Sequence, residues 1–126
     1  IAEGSTVAVM IARGLMDTPL RGWNGFHGAR ISDVDATAKA LKAVTKRNKN
    51  QILAGVGYSM GAIILGNYVA RSGPKCHLDT AMVVSGGLDM REQLNFYRSM
   101  RLWQPMLTAG LREDIIMGKF ARHYRE

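Results

Sequence analysis

The sequence predicts an α/β fold in which strands alternate with helices and pair in parallel. Three apolar runs rich in β-branched residues have the length of buried strands, at residues 6–12, 51–58 and 80–85. Stretches with helical periodicity separate these runs, and this alternation is typical of parallel strands joined by crossover helices. We therefore expect three layers, with a parallel sheet between helices.

The composition is that of one globular domain. The chain has 126 residues and is 47% hydrophobic, which is enough for a single core and too much for a disordered chain. Its formal charge is +7, but the basic residues are scattered and no aromatic-interleaved basic run appears, so we expect no nucleic-acid partner. A protein that binds nucleic acid or a membrane surface through a basic face is an alternative that this scatter disfavours.

The sequence contains no signal for a metal site, an internal disulfide or a membrane span. Cys76 is the single cysteine, which excludes an internal disulfide and a thiolate cluster. No histidine has metal-ligand spacing with the aspartates, so we expect neither a metal nor another cofactor. No apolar run reaches the length of a membrane span.

The first predicted strand, Thr6–Ala12, is followed by a glycine-rich loop and then a helix. Ser32 is the expected N-cap of this helix, with Asp35 in the capping-box position. One apolar face is predicted from residues at helical spacing, namely Val34, Ala38, Leu41 and Val44. We expect Arg13, at the end of the strand, to form a structural ion pair with a carboxylate, with a catalytic role as the alternative.

The second strand, about Gln51 to Tyr58, leads into a G-x-S-x-G motif at residues 57–61. Strand, tight turn and helix form the context in which this motif presents a nucleophile. We expect Ser59 to be that nucleophile, in a strained backbone conformation, with the Met60 N–H directed at a developing oxyanion. Gly57 and Gly61 are expected because a Cβ two positions before or after the serine would collide with its neighbours. The alternative is a glycine-rich turn whose serine only caps the helix.

The rest of the chain is predicted to be a helix, a third strand and a helical C-terminal region. The helix after the motif runs to about Arg71 and ends at Ser72-Gly73-Pro74. The third strand covers about Thr80 to Ser85. From residue 89 the pattern is helical, and its large side chains, Met100, Trp103 and Met106, are expected to pack in the core, with a lipid pocket as the alternative.

Three stretches resemble α/β-hydrolases. The motif Gly57-Tyr58-Ser59-Met60-Gly61 resembles the GYSMGG of that family, and Ile64–Val69 is similar to its IL-x-NY-L. Arg13-Gly14 with Thr18-Pro19-Leu20 resembles its RG-x-x-x-TPL loop. Together they resemble the branch that includes YheT-type esterases and the α/β-hydrolase-domain proteins 1 and 3. Two positions depart from the pattern: Ile11 replaces an asparagine and Ala62 replaces the second glycine.

This resemblance implies a partial α/β-hydrolase fold and a serine hydrolase of carboxylic esters, including acylglycerols and other lipids. It implies that residues 1–126 are the central part of one hydrolase domain, with a core in residues 1–88 and a lid-like helical segment in residues 89–126. The triad acid and histidine would then lie outside the chain, and we expect the chain alone to be inactive. Some members of the branch have a membrane anchor, so membrane association through segments outside this chain stays open, as does the cellular location.

Two further interpretations stay open. An internal triad of Ser59, Asp89 and His123 would keep the order serine, acid, histidine, and Asp89 follows a strand. No strand precedes His123 to orient it, which favours a solvated histidine there, and His27 and His77 are also expected at the surface or in loops. The alternative to an enzyme is a non-catalytic or degenerate hydrolase fold used for binding.

Overall fold

A computed structural model gives the structure of the protein, and it describes residues 4–20, 22, 24–45, 50–87, 89–93 and 97–121. The helices and strands in these ranges are, in chain order, α1 (Ser32–Thr45), β1 (Ala54–Tyr58), α2 (Met60–Ser72), a 3₁₀ turn (Gly73–Lys75), β2 (Thr80–Val84), α3 (Met90–Gln93), α4 (Tyr97–Leu102), α5 (Gln104–Leu111) and a π-helical segment (Arg112–Phe120). The protein therefore has a mixed α/β structure.

β1 and β2 form a two-stranded parallel sheet with α2 as the crossover between them. Ala54 lies opposite Thr80 at one end of the ladder, and Tyr58 lies opposite Val84 at the other. This confirms the second and third predicted strands and their parallel pairing. β1 begins at Ala54 and not at Gln51, so only the C-terminal part of that run enters the sheet.

One face of the sheet is covered by α2, because glycines let the helix and strands come close together. A Cβ at Gly55 would lie 3.2 Å from a methyl carbon of Leu65. On the opposite face Val56, Tyr58 and Met82 are each more than half exposed. The described residues therefore form two layers, and the prediction of three is wrong for this part of the chain, since none of its elements packs on that second face.

The core lies where α1 packs on α2. Its centre consists of Ala38 from α1 with Leu65 and Tyr68 from α2, all buried. The partly buried residues packed around it are Ile31, Val34, Val69, Cys76 and Leu78. Val34 and Ala38 confirm the N-terminal part of the predicted apolar face, whereas Val44 is exposed because the core ends before the last turn of α1.

The first predicted strand does not form. Residues 5–12 have no regular secondary structure, and Val9 is 82% exposed. A strand needs a neighbouring backbone to accept and donate its ladder hydrogen bonds, and no described segment pairs with this run. Its apolar sequence indicates suitability for a buried sheet, but the hydrogen-bonded neighbour decides whether a strand exists.

The C-terminal end of α2 lies where the sequence predicts it, whereas the N-terminal end of α1 does not. The Asp35 N–H donates to the Ile31 carbonyl oxygen at 2.9 Å, so α1 starts with Ser32 already inside its first turn. The Ser32 hydroxyl lies 3.4 Å from the Asp33 carboxylate, and the predicted capping box is absent because the helix begins one residue early. α2 ends as predicted at Gly73, whose φ is +48° and whose N–H donates to the Val69 carbonyl.

The C-terminal region is helical, as predicted. The π-helical segment packs on the loop after residue 13: the Lys119 ammonium donates to the carbonyl oxygens of Gly14 and Met16. Trp103 and Met106 are more than half exposed and Met100 is also exposed, so the prediction that they pack in the core is wrong. The described part of α4 packs on α5, and α5 packs on the π-helical segment, which leaves these side chains outside. Among the helices that the structure describes, none has the length and apolar character needed to cross a membrane.

Candidate active site

Ser59 is the single residue between the end of β1 and the start of α2. Its φ is +51° and its ψ is −118°, a conformation that residues with a Cβ rarely adopt. The Ser59 N–H donates to the Val84 carbonyl oxygen of β2 at 3.0 Å, and the Ser59 carbonyl accepts from the N–H groups of Ala62 and Ile63. Strand and helix together therefore hold the serine in the strained turn that the motif predicts, at a cost of about 1–3 kcal/mol.

The two glycines of the motif have different reasons to be glycine. Gly57 is buried, and a Cβ there would lie 2.5 Å from the Gly61 carbonyl oxygen and 2.9 Å from the Ala62 nitrogen. A Cβ at Gly61 would meet nothing within 4 Å. The prediction of a collision is therefore correct at Gly57 and wrong at Gly61. The cause is direction: position 57 faces the backbone of α2, while position 61 faces open space.

The Ser59 side chain is exposed and does not cap α2. Its hydroxyl makes no capping hydrogen bond to the helix, which contradicts the alternative of a serine that only caps. Within the described part of the chain, the Met60 N–H has no hydrogen-bond acceptor. An exposed hydroxyl thus lies next to an unpaired donor at the first turn of α2, where orphan N–H groups and the helix dipole favour negative charge.

The proposed internal triad is not assembled by the described residues. Both carboxylate oxygens of Asp89 are bound to Arg91, at 2.9 Å to its Nε and 2.6 Å to Nη2, and the Arg91 N–H donates to one of them. These bonds lower the pKa of Asp89 below its usual value. His123 lies outside the described residues, so a role for Asp89 and His123 stays a prediction.

The other two histidines occupy structural positions. His27 is exposed, and its Nδ1 accepts from the Ala29 N–H at 3.2 Å within a turn. The His77 N–H donates to the buried Tyr68 hydroxyl at 3.0 Å, and its ring nitrogen Nε2 lies 3.9 Å from the Asp35 carboxylate. Burial is the main cause that raises the pKa of Tyr68. Neither histidine has a described hydrogen bond to Ser59.

Arg13 forms the structural ion pair that the sequence predicts. Its Nε donates to the Asp33 carboxylate at 2.7 Å, and Nη2 binds the second oxygen. The guanidinium hydrogen bonds lower the pKa of Asp33 and raise that of Arg13. A cleft of about 400 Å³ lies beside this pair, and no residue of the 57–61 motif lines it. The pair therefore joins the loop to α1, and the candidate nucleophile does not line the cleft beside it.

Sequence reasoning missed two polar residues next to the sheet. Asp79 accepts from the Lys42 ammonium and, at 2.8 Å, from the Leu53 N–H, which ties α1 and the start of β1 to the start of β2. Ser85 follows β2 directly and has a positive φ of +55°. The only sequence signal for Ser85 is its place after a strand and before Gly86-Gly87. Within the described residues, no three histidine, cysteine, aspartate or glutamate side chains come together as a metal site.

Part of the chain is similar in sequence to a known protein. The chain is 33% identical over 87 residues to Protein abhd-3.2 of Caenorhabditis elegans. The matched part is 69% of this chain, and it spans 22% of the length of the relative. No protein-family model and no solved structure matches the chain. The similarity hints at the α/β-hydrolase superfamily, and the parallel sheet with its crossover helix is compatible with part of such a fold.

Proposed function

We propose that the chain is the central part of a serine hydrolase domain that cleaves carboxylic esters, acylglycerols among them. The observation that carries this proposal is the strained backbone of Ser59, at φ +51°, between a parallel strand and the crossover helix. Strain of this kind persists where the surrounding structure over-determines it, which is a feature of functional sites. The similarity to Protein abhd-3.2 supports the same reading.

In the proposed reaction, the Ser59 hydroxyl attacks the acyl carbonyl and the alcohol leaves. The Met60 N–H stabilises the oxyanion of the tetrahedral intermediate, and water then hydrolyses the acyl-enzyme. A serine at its own pKa is a weak nucleophile, so an imidazole oriented by a carboxylate has to accept its proton. We assign the imidazole and the carboxylate to parts of the protein outside this chain. Within the chain, we assign residues 1–88 to the core of the domain and residues 89–126 to a lid-like segment.

The unpaired Met60 N–H supports the proposed stabilisation of the oxyanion. Preorganised donors stabilise developing charge without reorganising during the reaction, and loss of one such donor typically costs about 100- to 1,000-fold in rate. The Gly57–Gly61 contact and the Ser59–Val84 hydrogen bond hold the turn that carries this donor. A further N–H, from a segment outside the chain, would complete the oxyanion site.

A fluorophosphonate probe on the full-length protein tests the proposal. We expect covalent labelling at Ser59, its loss in Ser59→Ala, and its retention in the control Ser72→Ala at the far end of α2. Labelling that survives Ser59→Ala would refute the assignment. The chain alone is expected to be inactive, so ester turnover by residues 1–126 would contradict the proposed position of the base.

The second candidate is a non-catalytic hydrolase fold that binds a ligand, and the pairing of Asp89 with Arg91 is compatible with it as it is with an acid outside the chain. In that case Ser59 is a relic, and no residue of this chain serves as the acid. A folded full-length protein that binds a lipid ester, yet neither turns it over nor reacts with the probe, would favour this candidate.

A further inference from the structure

Ser85 follows β2 in the same way that Ser59 follows β1. Because Tyr58 lies opposite Val84, the two serines occupy equivalent positions at the carboxyl edge of the parallel sheet. Neighbouring strands lie about 4.8 Å apart. The Ser59 N–H donates at 3.0 Å to the Val84 carbonyl, which belongs to the same peptide group as the Ser85 nitrogen.

Both serines have a positive φ. Non-glycine residues with positive φ in the described ranges are Met16, Ser59 and Ser85, at +49°, +51° and +55°. Two of these three are neighbours at the candidate site. Conformations of this kind are unfavourable for a residue with a Cβ and concentrate at functional positions. Glycine would adopt the positive φ at position 85 with less strain, yet the chain has a serine there and glycines only at the next two positions.

The loop after Ser85 is held by the same turn of α2 that follows Ser59. A Cβ at Gly86 would lie 2.8 Å from the Ala62 Cβ and 3.2 Å from the Ile63 nitrogen. Ser85 is exposed, and within the described residues its hydroxyl has no hydrogen-bond partner. The structure therefore fixes the backbone at Ser85 while it leaves the hydroxyl available.

We propose that Ser85 is a second substrate-contacting hydroxyl of the site, an inference that rests on the proposed function of Ser59. Its O–H donates a hydrogen bond to an oxygen of the carboxylic ester that Ser59 attacks. An ester offers acceptor oxygens and no donor, and a serine hydroxyl can rotate to donate to either of them. Ser85 takes no part in a covalent step; it binds and orients the ester.

Hydrolysis of p-nitrophenyl butyrate by the full-length protein tests this role. We expect kcat/KM to fall about five- to tenfold in both Ser85→Ala and Ser85→Gly, the loss typical of one neutral hydrogen bond. Ser85→Gly also relieves the positive φ, so its thermal midpoint should not fall. A merely structural serine would give a glycine variant with unchanged activity. Met16→Gly is the matched control, because it relieves the same strain outside the 57–61 motif, and its kcat/KM should equal that of the wild type.

The outcomes separate this inference from the proposed function. If turnover is lost in Ser59→Ala but both Ser85 variants stay within twofold of wild type, the role of Ser85 is overturned and the hydrolase stands. If Ser59→Ala keeps its turnover, both proposals fall. If Ser85→Ala unfolds, the glycine variant decides, since its backbone fits the observed conformation.

Discussion

Gly57 lies so close to Gly61 that a Cβ at position 57 would be 2.5 Å from the Gly61 carbonyl oxygen. This contact lets the last residues of β1 turn directly into α2 with one residue between them. The reverse relation does not hold, since a Cβ at position 61 meets nothing within 4 Å. The two glycines of one motif therefore differ in how they should respond to substitution.

Gly57→Ala should destabilise the protein, whereas Gly61→Ala should not. Forcing a methyl group against backbone atoms costs typically about 1–3 kcal/mol of unfolding free energy. Denaturant unfolding measures that loss, and the rate of fluorophosphonate labelling should fall with it because Ser59 moves. At position 61 alanine also favours the helix, by about 0.5–1 kcal/mol. Equal losses in the two variants would contradict the described packing.

Ser59→Gly should stabilise the fold while it removes the proposed nucleophile. Glycine adopts the positive φ of Ser59 without strain, and we expect unfolding free energy to rise by about 1 kcal/mol. Ser59→Ala is the matched variant: it also lacks the hydroxyl but keeps the strained Cβ, so its stability should stay near that of the wild type. A glycine variant that is no more stable than the alanine variant would show that position 59 carries no strain.

Tyr68→Phe should cost about 1–2 kcal/mol of stability, because it leaves the His77 N–H without its acceptor. Tyr68 is completely buried in the core, so solvent does not replace the lost hydroxyl. Tyr58→Phe is the control, since that side chain is 67% exposed on the open face of the sheet. Urea unfolding of the two variants compares them directly, and an equal effect of both would argue against the buried hydrogen bond.

Acid should weaken the tie between the loop and α1. Arg13 holds the pKa of Asp33 below its usual value of 3.8, so the pair stabilises the fold above that pH. The contribution is lost as the pH falls through the lowered pKa and Asp33 takes up a proton. The difference in thermal midpoint between wild type and Asp33→Asn should therefore be full at pH 7 and shrink toward pH 2. The matched control is Asp17→Asn, which removes an exposed carboxylate outside any ion pair that the described residues form.

Sequence reasoning was most accurate where the decisive interactions are local. The strand before Ser59, the turn and the helix after it follow one another within 20 residues, and hydrophobic period and glycine placement determine such short segments. Thr6–Ala12 carries an equally strong strand pattern but needs a partner strand from elsewhere, and none of the described residues supplies one. The same limit applies to Trp103, whose helical spacing suggested burial although no described element covers it.

By itself, the sequence determined β1, the turn at Ser59, α2 and β2, because these follow from residue types within a few positions of one another. A helix between two consecutive strands in turn favours their parallel pairing. Only the tertiary structure decided that Gly57 is crowded and Gly61 is free, that the described residues leave one face of the sheet uncovered, and that Ser85 lies beside Ser59. The crowding of Gly57 depends on the exact angle at which β1 turns into α2, and the other two depend on how segments distant in the chain pack. Local residue preferences encode neither the angle nor the packing.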